Sequence, residues 1–469
     1  MRSARSCLLI ACLVLVGCQA GLLPPPARVR LDDEGVVYLY LQPLAREAGR
    51  LQFAIEEMSV RHRDGGEIPL AVALGELRSP DARRQRLLAA GPLPAGEYSG
   101  FALRTGKASL RGEEGASALL VPEAPTRIEF RFTVRRGEGS VVFLALKYAE
   151  SVDAGFRFSP TFSVFSPERS AVGVMGFVLN GRSNDVTVFD KQSAQVVDVI
   201  ATGRGPSGMA LDQRTRRIYV AVSGDDGVEV IDIMSGRVAD RIRLSPGDEP
   251  VALALAPDGA TLLSANRGSN TVSIIDPGSR FERGRVPVGS GPRSITIDRT
   301  RRRAFVFNAL SNTVSVVDIA SGAGIRSIPT DPGPVRGHFN RRGDRLYVIH
   351  EMSAYVTVIN PVSLTVVGRF PVRSGMEAIK VDPSTDFVYL AGRGEPTVGL
   401  HDPFSFAPVD LIATGGGVAH MATDSEANTL YLVIPDANRV LVIDRISKRT
   451  VGELDVGDGP AWISLMGEN

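Results

Sequence analysis

The chain has 469 residues, of which 43% are hydrophobic and 22% are charged, and its net charge is +1. This length exceeds that of a typical single domain and predicts two or three domains. The near-zero net charge excludes an overall electrostatic attraction to nucleic acids or anionic membranes, so recognition by charge would have to come from a local patch.

The N-terminal segment has the pattern of an export signal. Arg2 and Arg5 precede an apolar run from Cys7 to Val16, and this run is about half as long as the ~20 residues that a membrane-spanning helix needs. All three cysteines of the chain lie within residues 1–18. Residues 19–469 therefore lack a thiol for a disulfide, for a thiolate metal site or for covalent haem attachment through a CxxCH motif.

The export signal ends in "LVGC", residues 15–18, which resembles the lipobox of bacterial lipoproteins. The resemblance implies that Cys18 is acylated and becomes the first residue of the mature chain; the alternative is a simple signal peptide with a chance cysteine. Acyl chains on Cys18 would hold the protein at a membrane. Gln19, in place of the aspartate of inner-membrane lipoproteins, implies the outer membrane, at its periplasmic or its surface face. We expect a signal peptide at 1–18 and a short, stiff tether at 19–29.

Residues 30–165 contain stretches in which apolar and polar residues alternate. The clearest stretch is "RIEFRFTV", residues 127–134, and turn sequences such as "RDGGE" separate these stretches. This pattern predicts an antiparallel β-sandwich of the immunoglobulin or transthyretin type. One insert, "SPDARRQRLLAAG", has a helix-like pattern, and its Arg83, Arg84 and Arg86 are expected on a solvent-exposed face.

The second half of the chain repeats an octet. "SNTVSIID" at 269–276 is followed by "SNTVSVVD" at 311–318. Aspartate or asparagine lies four residues after the first valine of the octet, and serine lies seven residues after it. Seven such valines occur at intervals of 42 residues, with one interval of 44: Val186, Val228, Val272, Val314, Val356, Val398 and Val440. A fixed period of this length is typical of repeat architectures.

Each repeat has room for four short strands, since alternating segments such as "RRIYVAVS" and "GVEVIDI" are separated by turn residues. Four strands in about 42 residues are typical of one blade of a β-propeller. The first repeat lacks its first strand, whereas the chain ends on an unpaired one at 461–467. We expect this last strand to complete the first blade, which leaves no open edge. The sequence thus predicts an all-β chain with a seven-bladed β-propeller at 172–469.

"SANRGSNTVSIID" and "VFNALSNTVSVVD" resemble the YVTN family of bacterial β-propeller repeats, and the resemblance extends over about 172–467. The asparagine that follows the second strand is kept at Asn180, Asn266 and Asn308 and is replaced in the other repeats. The family occurs in exported and surface proteins, so the resemblance implies binding or scaffolding more often than a defined reaction. The Asp-x-x-Ser segments are expected to form type I turns, in which the aspartate accepts backbone hydrogen bonds and has no catalytic role.

The innermost strand of each blade lines the axial channel of a propeller. A proline landmark, such as Pro334 or Pro460, recurs twenty residues after the valine in most repeats. Because side chains alternate along a strand, we expect the third residue after the landmark to pack in the core and the second and fourth to face the channel. In neighbouring blades these two positions hold long side chains, and they are predicted to form one basic sector with an apolar wall: Arg336, His338, Lys380, His420 and Trp462.

The basic sector has two interpretations. It is an anion-binding funnel for a carboxylate or phosphate group, in which Arg336 is a forked donor, or it is a solvated lining without a ligand. No metal site and no cofactor is predicted, since His338 and His420 are the only histidine pair in position to share a ligand. Nucleic-acid binding is not expected, because the arginines of "DRTRRRAF" lack interleaved aromatic residues for base stacking.

The sequence favours a lipid-anchored binding or scaffold protein of the cell envelope, which recognises an envelope protein or another partner through the propeller loops and the channel mouth. A small anionic ligand is a further expected partner. The alternative is a periplasmic hydrolase of the lactonase type, whose chemistry needs a general base near the channel mouth. Glu377 is the nearest candidate for that base.

Overall fold

The computed structural model describes residues 33–78, 81–112, 115–153, 156–168, 171–298, 300 and 302–468. The predicted signal peptide, the tether and Cys18 lie outside these residues. Within them the chain is mostly β-strand, and none of its helices has the length and apolar character needed to cross a bilayer.

The front region of the described chain lies between Glu34 and Phe165 and consists of short strands with one α-helix of a single turn. Its elements are β1 (Glu34–Leu41), β2 (Leu51–His62), β3 (Glu67–Pro69), β4 (Ala71–Val72), β5 (Glu76–Leu77), β6 (Arg86–Pro94), β7 (Gly96–Arg111), β8 (Ala116–Leu119), β9 (Thr126–Val134), β10 (Gly139–Leu146), α1 (Tyr148–Ser151), β11 (Val152–Asp153), β12 (Arg157–Phe158) and β13 (Phe162–Phe165).

Two larger sheets of the front region share one core. Their strand orders are β13-β10-β1-β6-β4 and β3-β2-β7-β8, and β5 and β9 join the second sheet at β2 and β7. Leu39 and Leu144 from the first sheet and Phe53 and Phe101 from the second are buried in the same cluster. Antiparallel pairing was expected throughout, but β1 and β10 run parallel. A parallel pair needs a long crossover, and the chain between β1 and β10 provides it by building the second sheet.

The helix-like pattern of "SPDARRQRLLAAG" does not produce an α-helix. Asp81–Arg83 forms a 3-10 turn, and the apolar residues that follow belong to β6. This strand pairs with β1 on one side and with β4 on the other. Pairing on both edges satisfies its backbone groups, so tertiary pairing overrides the local helical pattern.

The repeat region contains seven four-stranded antiparallel sheets. They consist of β14 (Met175–Asn180), β15 (Asp185–Asp190) and β16 (Gln195–Ala201) with the C-terminal β41 (Pro460–Leu465); β17 (Pro206–Asp212), β18 (Arg217–Val222), β19 (Gly227–Asp232) and β20 (Arg237–Arg243); β21 (Pro250–Leu255), β22 (Leu262–Asn266), β23 (Thr271–Asp276) and β24 (Phe281–Pro287); β25 (Pro292–Asp298), β26 (Arg303–Asn308), β27 (Thr313–Asp318) and β28 (Gly324–Pro329); β29 (Pro334–Phe339), β30 (Leu346–His350), β31 (Tyr355–Asn360) and β32 (Thr365–Pro371); β33 (Met376–Val381), β34 (Val388–Gly392), β35 (Thr397–His401) and β36 (Pro408–Ala413); and β37 (His420–Asp424), β38 (Thr429–Ile434), β39 (Arg439–Asp444) and β40 (Thr450–Asp455).

The first strands of neighbouring sheets contact one another in chain order from β17 to β37, and β41 contacts both β37 and β17. This cyclic packing of four-stranded sheets is that of a β-propeller. The C-terminal strand β41 pairs with β14. Lys191 holds the residue that follows this strand in place. Its Nζ donates a hydrogen bond to the Met466 carbonyl at 2.7 Å and forms an ion pair with the buried Asp424 at 2.7 Å.

The two ends of the sheets differ in their connections. First and third strands point the same way, so the turns that follow them share one end of each sheet, which we name the turn face. The opposite end carries the loops between second and third strands and is named the loop face. On the turn face the aspartate or asparagine of every Asp-x-x-Ser turn accepts a hydrogen bond from the serine N–H: Asp190, Asp232, Asp276, Asp318, Asn360, Asp402 and Asp444.

The front region packs on the first and last sheets of the propeller. Apolar side chains from both sides, such as Val36 and Val456, form one buried cluster. Arg84 and Arg86 were expected on a solvent-exposed face, but each donates to the Asp455 carboxylate at 2.7 Å. The reason is that β6 runs beside β40, so both arginines meet a carboxylate that is itself largely buried. Ion pairs and an apolar cluster together fix the two regions against each other.

Candidate functional site

The first strands of the propeller present mainly long side chains to the axis, and their alanines do not reach it. Residues at the third position, such as Met209 and Ile463, pack between sheets as expected. Ala252, Ala378 and Ala422, at second or fourth positions, were expected in the channel, but they are also buried in clusters between sheets. The sheets radiate from the axis, so both faces of each first strand contact neighbouring sheets. A long side chain extends past the strand edge to the axis, whereas these three alanines do not line the axial cavity.

An axial cavity of about 300 Å³ brings together five of the six residues proposed from the sequence. They reach it from four different sheets and are Arg336, His338, Lys380, His420 and Trp462. Ser294 and Thr296 line the side where the first strands carry small residues. On that side Gly208 is required, because a Cβ there would lie 2.7 Å from the Cα of Ala252. The first strands that carry small residues approach each other closely. The open space of the axial cavity therefore lies on the side of the basic residues.

Three side chains stack across the axis near the start of the first strands. The His420 ring lies 4.0 Å from the Trp462 ring, centroid to centroid, with an interplanar angle of 23°. The guanidinium carbon of Arg336 lies 4.8 Å from the Trp462 ring centroid. A cation over an indole face is attracted by the ring quadrupole. The stack holds Arg336 in one orientation, although its strand and that of Trp462 belong to sheets separated by two others.

Arg336 is a buried cation with unused hydrogen-bonding capacity. Its Nε and Nη1 atoms have no solvent contact and no hydrogen-bond partner among the described residues. Burial lowers the pKa of Arg336 to about 10, with Glu377 acting in the opposite direction and Arg293 in the same direction. Arginine remains cationic at neutral pH despite this change. An unpaired buried cation is unfavourable by itself, so an anionic group at this position would stabilise it.

The histidines of the cavity are fixed by backbone contacts. Burial, followed by the charges of Arg336 and Lys380, lowers the pKa of His420 well below its usual value. His420 is therefore neutral at physiological pH, and its Nδ1 accepts a hydrogen bond from the Ile463 N–H at 3.4 Å. Nδ1 of His338 lies 2.8 Å from the Phe339 carbonyl oxygen, to which it donates. The His420 ring therefore does not present a cationic donor pair to a ligand.

The C-terminal tail supplies a carboxylate that sequence analysis missed. Oε1 of Glu468 lies 2.6 Å from Nζ of Lys380 and accepts the Thr423 N–H at 3.2 Å. Gln213 holds the same tail, because its side chain bonds to the Gly467 N–H and to the Glu468 carbonyl. The predicted basic sector is thus partly neutralised at the turn-face end, and Arg336 is left as its unpaired cation among the described lining residues. No motif marked Glu468, since it reaches the cavity only through the path of the tail.

Glu377, the candidate general base, lies outside the axial cavity. Its carboxylate pairs with Arg393 at 3.2 Å and with Arg293 at 3.7 Å on the loop face. Its oxygens are thus engaged in ion pairs outside the cavity. The described residues contain no group of three or more histidine, cysteine, aspartate or glutamate side chains placed to hold a metal ion.

A second cavity, of about 510 Å³, lies between the front region and the propeller. Its lining is mostly apolar, with Tyr38 and Leu87 on one side and Val456 on the other. The Tyr38 hydroxyl donates to the buried Asp185 carboxylate, and Asp455 is held by Arg84 and Arg86. Its charged groups are thus committed to the contact between the two regions. Sequence analysis did not detect this cavity, because its walls come from distant segments.

The model of the YNCE-like beta-propeller family matches residues 152–382. This range includes the end of the front region and most of the first five sheets. A search of curated protein sequences found no match.

Three solved structures with the same fold align with this chain at low sequence identity. A functionally unknown protein from Desulfotomaculum acetoxidans DSM 771 aligns with a TM-score of 0.56 and 14% identity, over 63% of this chain and 99% of that chain. A putative 6-phosphogluconolactonase from Bacteroides uniformis ATCC 8492 aligns with a TM-score of 0.54 and 14% identity, over 62% and 98%. The dihydro-heme d1 dehydrogenase NirN, in complex with DHE, aligns with a TM-score of 0.51 and 15% identity, over 64% and 77%. At these identities the likeness shows the β-propeller fold alone.

Proposed function

We propose that the protein is an exported binding protein of the cell envelope, anchored by lipid at Cys18, whose axial cavity takes an anionic group of its ligand. Residues 30–165 are a β-sandwich that carries a seven-bladed propeller of the YVTN type at 172–469. The outer membrane is its site, and an envelope protein that meets the loop face is its macromolecular partner.

The architecture is supported by the sheets of the repeat region. Seven four-stranded sheets follow each other with the 42-residue period, and β41 pairs with β14. The two sheets of the front region enclose one core, as the layers of a sandwich do. The loop face offers apolar anchors for a protein partner, because Leu310 and Met352 project from equivalent loops of consecutive sheets and both are exposed. Exposed apolar anchors flanked by charged residues are typical of protein interfaces.

The single observation that carries the ligand proposal is Arg336. Its guanidinium is buried over Trp462 with two atoms that lack a hydrogen-bond partner. A carboxylate or phosphate oxygen would fill this capacity with charge-assisted hydrogen bonds. Thr296, which also lines the cavity, adds a hydroxyl group that can donate to a polar ligand. The Ser294 hydroxyl already donates to the Val335 carbonyl at 2.7 Å.

Binding is favoured over catalysis because three candidate bases, His420, Glu468 and Glu377, are already engaged in other contacts. Catalysis of lactone hydrolysis would need a general base within hydrogen-bond reach of a water molecule or nucleophile. His420 is neutral but gives its Nδ1 to a backbone N–H, Glu468 is paired with Lys380, and Glu377 is outside. The fold likeness to a putative 6-phosphogluconolactonase keeps a lactonase as the second candidate.

The anion proposal is tested by the fluorescence of Trp462, the single tryptophan of the chain. Phosphate, citrate and sugar phosphates are titrated into the purified protein, and saturable quenching of Trp462 is expected. Arg336→Gln should abolish the change, whereas Arg326→Gln, at an exposed site on β28, should retain it. Unaltered emission with every anion, or equal responses of both variants, contradicts the proposal. A panel of lactones is assayed in parallel, and turnover that Arg336→Gln eliminates would favour the hydrolase.

The partner proposal is tested in the native envelope. The anchored protein is cross-linked and purified with its neighbours, and Leu310→Ser with Met352→Ser should reduce the recovery of the partner. A matched pair of changes on the outer strands, Val409→Ser with Val451→Ser, removes exposed apolar side chains elsewhere and should leave recovery unchanged. Recovery that is the same for both pairs would contradict a role for the loop face.

A further inference from the structure

Large apolar side chains project from the turn face at one repeated position. It is the third residue of the Asp-x-x-Ser turn, and in four sheets it is exposed and apolar: Met234, Val362, Phe404 and Ile446. The other three turns carry Gln192, Gly278 and Ala320 at this position. The turn needs only the aspartate oxygen and the serine N–H, so its own geometry does not account for these side chains. Phe404 is 77% exposed and Ile446 is 82% exposed.

These side chains lie on one side of the molecule. All Asp-x-x-Ser turns connect third to fourth strands, and third strands end on the turn face. Val362, Phe404 and Ile446 belong to three consecutive sheets, so they follow one another as a row along one sector of this face. Exposed apolar side chains that share one face mark an interaction site more often than isolated ones do.

Arginines flank one end of the same row. The turns between first and second strands of the fourth and fifth sheets carry Arg302, Arg341, Arg342 and Arg345, and Arg303 begins β26 beside them. Of the carboxylates in this region, Asp258 pairs with Arg302 at 2.7 Å. Asp386 accepts the backbone N–H of Arg341, and Asp344 accepts from Asn340. Arg303 is half-buried and donates to the Pro361 carbonyl at 3.2 Å. The guanidinium groups that remain exposed outside an ion pair with a described residue are those of Arg341 and Arg342.

A cavity of about 250 Å³ lies in this sector, beside the most exposed aromatic ring. Arg341, Arg342 and Arg345 line it together with Phe404, and the carboxylates of Asp344 and Asp386 line it as well. The guanidinium of Arg341 is directed to the Ser384 carbonyl at 3.4 Å. The arrangement places three cations and two carboxylates around a recess whose rim is an exposed phenyl ring, so its net charge is positive. A phosphate at the mouth of the recess would face the arginines while a hydrocarbon chain contacted the ring.

We propose that the turn face binds the surface of an anionic lipid bilayer. The row of Val362, Phe404 and Ile446 enters the interface between headgroups and acyl chains, and the arginines contact lipid phosphates. Interleaved basic and apolar groups on one surface are typical of peripheral membrane binding, in which the two contributions add. Protein partners are less compatible with this face, since the apolar tips stand at the ends of separate turns instead of forming one depression.

This inference does not depend on the ligand of the axial cavity. It is compatible with the proposed anchor at Cys18, because stable membrane attachment usually requires two signals. Glu138, whose carbonyl accepts the Val36 N–H at the start of β1, pairs with Arg237 at 3.3 Å. Arg237 begins β20 directly after the turn that carries Met234. The start of the front region is thus within side-chain reach of one turn of this face. With the turn face on the bilayer, the loop face points away from it and is accessible to a partner.

The test places a tryptophan on each face of the whole protein. Phe404→Trp reports on the turn face, and Leu310→Trp is its match on the loop face, because the two native side chains are 77% and 76% exposed. Each variant is attached to vesicles with brominated acyl chains, made either with phosphatidylglycerol or with phosphatidylcholine alone. The unchanged protein, with Trp462 only, supplies the background. We expect a blue shift and quenching for Phe404→Trp on the phosphatidylglycerol vesicles, and neither change for Leu310→Trp.

The charge contribution is tested in the same system. Adding Arg342→Gln to the Phe404→Trp protein should weaken docking about fivefold, the usual effect of one arginine near an anionic surface. Arg326→Gln, on an outer strand, is the control and should have no effect. Equal quenching on both faces, or no quenching on either, overturns the proposal. Quenching that ignores lipid charge also overturns it. A blue shift that grows with protein concentration without vesicles would instead assign the face to a second copy of the chain.

Discussion

Replacing Arg336 with methionine should make the unliganded protein more stable while it removes anion binding. The side chain of Arg336 is buried in the axial cavity with two unpaired donors. Methionine has a similar length and can pack against Trp462 through its thioether. The variant therefore keeps most of the packing and loses the desolvated charge.

The expected gain follows from the pKa of Arg336. A decrease to about 10, from the roughly 12.5 of a free arginine, corresponds to a penalty of roughly 3 kcal/mol on the folded state. The unfolded chain holds this proton more firmly than the folded chain, so the penalty is present at every pH below about 10 and is relieved above it. The contact with Trp462 offsets about 1 kcal/mol of the penalty. We expect Arg336→Met to stabilise the propeller by roughly 1–2 kcal/mol.

The assay is thermal unfolding followed by Trp462 fluorescence in buffer without phosphate or carboxylates. This signal reports on the propeller, which matters because a chain with two regions need not unfold in one step. The Trp462 midpoint should rise by about 1–4 °C in Arg336→Met and stay within error in Arg326→Met. Phosphate should raise the midpoint of the unchanged protein only. A lower midpoint for Arg336→Met without anions would refute the reasoning that Arg336 is an unfavourable buried charge.

Three further predictions concern the contact between regions, the closing strand and pH. Asp455→Ala removes the carboxylate that Arg84 and Arg86 share, while Arg84 keeps its ion pair with Glu453 and Arg86 keeps that with Asp81. We therefore expect a destabilisation of the contact by about 1–2 kcal/mol; faster proteolysis between the two regions would show this, and an unchanged cleavage rate would contradict it. Deleting 461–469 exposes an edge of β14, so size-exclusion chromatography should detect aggregation, whereas a monodisperse protein would contradict the closing role of β41. Because His420 is neutral in the folded state, its ring is protonated more readily in the unfolded chain, and the free energy of unfolding should decline as pH falls below about 6.5. In denaturant titrations His420→Asn should make that decline less steep. Identical pH profiles of the variant and the unchanged protein would contradict this prediction.

Local patterns in the sequence were sufficient to predict the strands of the propeller. The alternation in "SNTVSIID" and the turn chemistry of Asp276 and Ser279 depend on neighbours a few residues apart, so they can be read without the fold. The same is true of the third position of the first strands, where Met209 and Ile463 are buried between sheets. The strand β6 is the opposite case, because pairing with β1 decides its conformation against a helix-like local pattern.

The candidate site was only partly predictable. Counting from the landmark found Arg336, His420 and Trp462, since each side chain is long enough to pass the strand edge and reach the axis. The position of a residue within the repeat does not reveal that Glu468 pairs with Lys380. The path of the tail after β41 depends on the hydrogen bonds of Gln213, which lies far away in the sequence. The repeat pattern also could not place Glu377, because its two ion-pair partners are Arg293 on strand β25 of another sheet and Arg393 in a loop of its own sheet.

The sequence by itself determined the period, the strands, the turns and the residue types that approach the axis, because these follow from short-range periodicity and backbone conformation. Tertiary structure decided which of those residues meet, which charges are neutralised and how the front region seats on the first and last sheets. The physical reason is that burial and pairing energies belong to contacts between segments far apart in the chain, and one buried arginine without a counter-charge is defined only by everything packed around it.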